Sequence, residues 1–115
     1  MVISYDFDEC LWGGPAWVFE CFLADLGAGH DVWICTARYE GVEAHDVEVW
    51  LSELELLNVV PVIYTGRKLK GPYLVGFFAE RHYDDGFHHC LSAAACGVEA
   101  FYVDGTKHGP RLVEA

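Results

Sequence analysis

Positive charge is scarce in this chain. Seven Lys and Arg face 18 Asp and Glu, a net charge of −11. A broad basic surface that holds nucleic acid through its phosphates is therefore not expected. An anionic ligand would need a local source of positive charge, most simply a bound divalent metal. Long apolar runs are also missing. None approaches the roughly 18–20 residues of a membrane span, so no membrane partner is expected. The chain does not open on a basic stretch followed by a small-residue cleavage site, so no secretory leader is expected. Cysteine pairing signals are lacking too. The five cysteines (Cys10, Cys21, Cys35, Cys90 and Cys96) are odd in number and none forms a C-x-x-C pair. They read as reduced thiols of a cytoplasmic protein, mostly buried as small hydrophobes. Repeats, low-complexity tracts and linkers are absent, which leaves one domain over residues 1–115.

What the chain does have is apolar side chain: 53% of residues are hydrophobic and 15% aromatic. Such a chain buries enough surface to offset its ordering entropy, so disorder is excluded. Short apolar runs alternate with longer segments of helical period. Residues 1–5, 31–35, 59–64, 81–83 and 99–103 read as strands. Residues 15–26, 41–54, 71–80 and 87–95 read as helices, two of them with Pro (Pro15, Pro72) at the start. Pro61 lacks a donor, which places its strand at a sheet edge. The tail from Gly105 reads as loop. Alternation of this kind implies an α/β fold with a parallel sheet and helices on both faces. Ligands of open parallel sheets bind beyond the carboxyl ends of the strands.

Those ends carry the polar residues. The first strand ends in Asp6-Phe7-Asp8 and the second in Thr36-Ala37-Arg38. The third is followed by Thr65-Gly66-Arg67-Lys68-Leu69-Lys70, and the fourth ends in Asp84-Asp85-Gly86. At any one end, Asp or Gly marks only a turn. Four ends with this chemistry in this order point to one pocket. Carboxylates gathered at a sheet edge repel unless a cation sits between them, and a hard ion such as Mg²⁺ takes oxygen ligands. Beside it Asp6 can attack phosphorus as a carboxylate nucleophile. Asp8 can protonate the leaving oxygen and then deprotonate the water that frees the enzyme. Thr36 offers a hydroxyl and an N–H to phosphoryl oxygens, and a lysine offsets the charge that builds on them.

The segments VISYDFDEC (2–10), VWICTAR (32–38), TGRKLK (65–70) and RHYDDG (81–86) resemble the four motifs of the haloacid dehalogenase-like (HAD) superfamily. The resemblance spans residues 2 to about 104. It implies a three-layer Rossmann-like fold with a five-stranded parallel sheet of order 3-2-1-4-5. It implies Mg²⁺ held by the Asp6 side chain, the Asp8 backbone carbonyl and a fourth-motif Asp: Asp84 directly, with Asp85 ligating through water or orienting the loop. The activity implied is hydrolysis of a phosphomonoester, nucleotide-like, through an aspartyl-phosphate. A phospho-receiver domain carries similar residues but places its lone phosphorylated Asp after the third strand, where this chain has none. The third-motif segment resembles that of deoxyribonucleotidases, which favours Lys68, with Lys70 as the alternative. Thr-Ala-Arg resembles segments of nucleotidases and polynucleotide 3′-phosphatases. That assigns Arg38, with Ala37 and Lys70, to substrate binding. A surface salt bridge to Glu40 or Glu43 is the plain reading of Arg38.

Two positions depart from the family. Glu9 stands where Gly is common, and Cys10 where Thr or Val is usual. They motivate a second reading, a non-catalytic HAD-like binding or regulatory protein. Six residues separate Asp8 from Pro15 and seven separate Tyr64 from Pro72, so neither gap holds a cap domain. An open site suits a large substrate such as a polynucleotide 3′-end, which is the third reading, or a roof lent by a homodimer partner. Trp12 is expected to pack on the protein, and Trp17, Trp33 and Trp50 to be core. Of the adjacent His88 and His89, one is expected at the pocket rim and one at the surface. His82 is expected to be packed within its strand.

Overall fold

A computed structural model describes residues 1–105 and 109–115. The elements run β1 (Val2–Tyr5), α1 (Ala16–Gly27), β2 (Asp31–Thr36), α2 (His45–Glu53), β3 (Val62–Tyr64), α3 (Gly71–Gly76), β4 (Arg81–Asp84), α4 (Phe87–Ala95), β5 (Glu99–Tyr102) and β6 (Arg111–Val113). They form a six-stranded sheet of order β3-β2-β1-β4-β5-β6. β1 to β5 pair in parallel and β6 joins β5 antiparallel. The architecture is α/β, as the alternation implied.

The sixth strand corrects the expected five. The segment expected to be loop from Gly105 onward holds β6, whose Val113 is buried in the core while Arg111 and Leu112 are exposed. Three residues with one buried side chain carry too little period to be recognised as a strand. Residues 106–108 of that expected loop lie outside the described residues.

Strand side chains alternate between two cores. Ile3, Tyr5, Val32 and Ile34 pack with Val18 and Phe22 of α1 and Val47 and Leu51 of α2. Cys35, Ala100 and Val113 pack with Leu74 of α3 and Cys90 and Ala93 of α4. Each buried Leu, Val or Phe contributes about 1.5–3 kcal/mol relative to exposure. The first core is rich in rings: Tyr5 stacks on Tyr83, and Phe22 meets both Phe19 and Trp50. The half-buried Trp17 and Trp50 pack against this core, and Trp33 stacks on Phe77.

Element ends shift for local reasons. α2 starts at His45 rather than at residue 41, because Gly41 has φ 83° and Arg38 Nη1 holds the Glu43 carbonyl. β3 begins after Pro61 and lies at the sheet edge. α3 ends at Gly76, short of residue 80, and Phe78 follows with φ 63°. Gly71 lies tightly against α4: a Cβ there would stand 2.5 Å from the Ser92 carbonyl oxygen. That contact fixes the start of α3, and with it Lys70.

Candidate active site

Asp6 follows β1 directly, its N–H donating to the Tyr83 carbonyl across the sheet at 2.8 Å. Asp84 is the last residue of β4, one strand away. Lys70, the residue before α3, is 1% exposed. Its ammonium donates to Asp6 Oδ1 and to Asp84 Oδ2, both at 2.7 Å. Three charges thus meet out of water at the carboxyl ends of the two central strands. Burial disfavours the Lys70 ammonium, but Asp6 and Asp84 outweigh that and hold it protonated. Burial raises the Asp6 carboxyl well above the usual carboxylate range, with the Asp84 charge adding and Lys70 opposing. Burial also works against ionised Asp84, yet Lys70 and His82 together keep it below that range. One lysine serves two carboxylates at equal distance.

Asp84 has a second side-chain partner in His82. The histidine lies fully buried in β4, bridging Ser4 Oγ at 2.8 Å and Asp84 Oδ2 at 2.7 Å. The Gly86 N–H donates to Asp84 Oδ1 at 2.8 Å. Both Asp84 oxygens are therefore engaged. His82 is packed within its strand as expected, but it also orients the site. Ser4 was not singled out at all, since nothing in a strand serine marks it as a neighbour of a buried histidine.

The carboxylates of Asp6, Asp84 and Asp85 each offer an oxygen within 4.8 Å of the others, an arrangement that can hold a metal ion. Asp85 lies close enough to Asp6 to help raise its carboxyl, so the pair favours a proton or a cation beside it. Asp84 Oδ2 is shared by Lys70 and His82, while Oδ1 accepts one N–H from Gly86 and keeps acceptor capacity. Oxygen donors of this kind suit a hard divalent ion.

These groups open into a cleft of about 740 Å³. Seven carboxylates line it (Asp6, Asp8, Glu9, Glu43, Asp46, Asp84, Asp85) against three cations (Arg38, Arg67, Lys70). Each of the three cations is paired with protein. Arg67 bonds Glu43 at 2.7 Å, and Arg38 bonds Asp8 at 2.7 Å and Asp46 at 3.0 Å. The Arg38 partners differ from the Glu40 or Glu43 side chains expected of a surface ion pair.

Other residues fall less simply. Lys68, favoured from sequence as the catalytic lysine, is exposed and does not line the cleft. Thr65 Oγ1 bonds the Lys68 carbonyl at 2.9 Å, closing a turn that carries residues 66–69 outward before the chain returns at Lys70. The lysine at the carboxylates is the alternative, Lys70. Thr36 is fully buried, and its hydroxyl accepts the Arg38 N–H at 3.3 Å rather than reaching the cleft surface. Ala37 and Asp8 do line the cleft. His88 and His89 both line it, but His88 is exposed whereas His89 is buried with Nδ1 unpartnered. Trp12 stacks on Phe7, 5.2 Å between ring centroids. Glu9 has φ 56°, a left-handed conformation that glycine adopts without strain. Cys10 is buried, its Sγ donating to the Tyr83 carbonyl at 3.8 Å. Burial first, then Asp6 and Asp84, push that thiol up, so it is no nucleophile.

Comparison with protein-family models, with curated proteins and with solved structures gives no match to this chain. The class rests on the geometry alone: an α/β protein whose acid-lined cleft lies at the carboxyl ends of its parallel strands. No helix among the described residues is long and apolar enough to cross a membrane.

Proposed function

We propose that this chain is a Mg²⁺-dependent phosphatase of the haloacid dehalogenase-like kind, a capless Rossmann-like domain hydrolysing a nucleotide-like phosphomonoester. The observation that carries the reading is Lys70, buried at 2.7 Å from both Asp6 and Asp84 with Asp85 beside them. A buried lysine among carboxylates at the end of a sheet is costly unless the charges serve chemistry. Asp6, Asp84 and the Asp8 carbonyl would hold Mg²⁺, with Asp85 beside them as a further oxygen donor. When bound, Mg²⁺ would neutralise phosphoryl oxygens that the cleft otherwise repels.

In this reading the Lys70 bond to Oδ1 leaves the other Asp6 oxygen to attack phosphorus. The new P–O bond forms on Asp6 as the bond to the leaving oxygen breaks. That oxygen takes its proton from solvent, because Arg38 holds both Asp8 oxygens and keeps Asp8 a carboxylate. Water then attacks the aspartyl-phosphate, Asp8 takes the water's proton and yields it to solvent, and the Asp6 carboxylate is restored with inorganic phosphate released. Lys70 stays charged throughout and offsets negative charge at the reacting centre. The five unpaired thiols suit a reducing, cytoplasmic setting. The polynucleotide-end reading fits less well, because seven carboxylates line the cleft and its three cations are paired.

The test is phosphate release from nucleoside monophosphates, p-nitrophenyl phosphate and a 3′-phosphorylated oligonucleotide, with Mg²⁺ and with chelator. Turnover should need Mg²⁺ and fall about a thousandfold or more in Asp6→Asn. A fully active Asp6→Asn would overturn the proposal. Mg²⁺ binding without turnover on any substrate would favour the non-catalytic reading, for which Glu9 and Cys10 stand in the first motif.

A further inference from the structure

Arg38 was assigned to substrate on its resemblance to nucleotidase segments, but its donors are already committed. Nε donates to Asp8 Oδ2 at 2.8 Å and Nη2 to Asp8 Oδ1 at 2.7 Å, a two-pronged pair. Nη1 donates to Asp46 Oδ2 and to the Glu43 carbonyl, both at 3.0 Å. A guanidinium has five N–H donors, so one is left. The group is also held by rings: its carbon lies 5.3 Å from the Phe7 centroid and 5.4 Å from that of Trp12. The Arg38 side chain is 13% exposed, whereas that of Asp8 is 44% exposed and lines the cleft. The arginine is the fixed member of the pair and the carboxylate is the one that meets the solvent-filled cleft.

We propose that Arg38 is a positioning residue for Asp8 and not a ligand of the substrate. This rests on the phosphatase reading, in which the Asp8 carboxylate takes the proton of the water that frees Asp6. A carboxylate that must meet the attacking water gains from a fixed orientation. The two-pronged bond fixes the plane of the Asp8 carboxylate, and Asp46, the Glu43 carbonyl and the two rings fix the guanidinium in turn. A consequence concerns the substrate. With Arg38 on Asp8, Arg67 on Glu43 and Lys70 on Asp6 and Asp84, each cleft cation already has a carboxylate partner that a second anionic group would have to displace. The fitting substrate carries a single phosphate on a body without further negative charge, as a nucleoside monophosphate does.

The test joins a readout that needs no turnover to one that does. Nitrogen-edited NMR of the Arg38 Nε–H reports the Asp8 bond directly. The signal should be displaced in Asp8→Asn and should stay in place when inorganic phosphate and Mg²⁺ are added. A signal moved by phosphate and indifferent to Asp8→Asn would overturn the proposal. In the kinetic arm, with p-nitrophenyl phosphate, Arg38→Gln should lower kcat about 10- to 100-fold with KM within about twofold. Arg38→Lys should recover only part, because an ammonium cannot form the fork. Asp46→Asn, which loosens only an outer anchor, should lower kcat by about threefold at constant KM. A KM raised about tenfold with kcat unchanged would make Arg38 a substrate ligand and overturn the proposal. So would a lowered melting temperature with both constants unchanged. Should the wild-type chain turn over no substrate, the phosphatase reading falls, and the NMR comparison still decides where Arg38 is committed.

Discussion

Lys68 and Lys70 stand two positions apart and in opposite surroundings, one exposed and one buried between two carboxylates. Removing one partner of a buried ion pair strands the other, so Lys70→Ala should cost about 3–5 kcal/mol by urea denaturation. Lys68→Ala should stay within about 0.5 kcal/mol. Near-equal costs would contradict the placement. Asp6→Asn is expected to go the other way. Without metal, Asp6 shares Lys70 with Asp84 and lies against Asp85, so neutralising it relieves repulsion. The variant should melt higher than wild type in chelator, by about 1–2 kcal/mol in stability, and should lose any upward shift that Mg²⁺ gives the wild type. At this scale the sequence shows which residue types gather at strand ends. It does not show which of two lysines turns inward, because that depends on the turn closed by Thr65. Nor does it show that Arg38 finds Asp8, thirty residues earlier in the chain.

Elements with a strong period were the legible ones. α4 runs over residues 87–95 as its pattern implied, and β1, β2 and β4 end at Tyr5, Thr36 and Asp84, where the polar residues begin. The helices that came out shorter, α2 and α3, lose turns to backbone conformations set by contacts rather than by composition. The loop after β1 is the clearest case of local preference overridden. Glu9 holds φ 56°, and its carboxylate lies 3.7–3.8 Å from where a Cβ on Gly13 would stand. A left-handed non-glycine residue costs about 1–2 kcal/mol, of which glycine's greater unfolded entropy returns part. Glu9→Gly should therefore stabilise the fold by about 0.5–1 kcal/mol, measured by thermal or urea melts. A loss of stability would mean that the Glu9 side chain contributes more than its backbone strain costs.

For the molecule as a whole, the buried imidazoles set the acid limit. Burial, then Lys70, lower the His89 pKa to about 4, and burial lowers that of His82 too. An unfolded imidazole titrates near about 6.5. Between those values the unfolded chain binds more protons than the folded one, so stability rises with pH across the window. Acidification from about pH 6.5 to about pH 4 should thus destabilise the fold, and the loss should be smaller in His89→Gln. Asp6, shifted upward, works in the opposite sense, which is why the difference between wild type and His89→Gln is the quantity to measure. The net charge of −11 and the carboxylates of the cleft also bear on how a substrate arrives. A phosphate ester approaching this surface moves up a repulsive field that reaches about one Debye length, roughly 10 Å at 0.1 M salt. Added monovalent salt shortens that reach. The encounter rate, read as kcat/KM at saturating Mg²⁺, should therefore climb with ionic strength, the reverse of the decline shown by proteins that draw in anions through a basic surface.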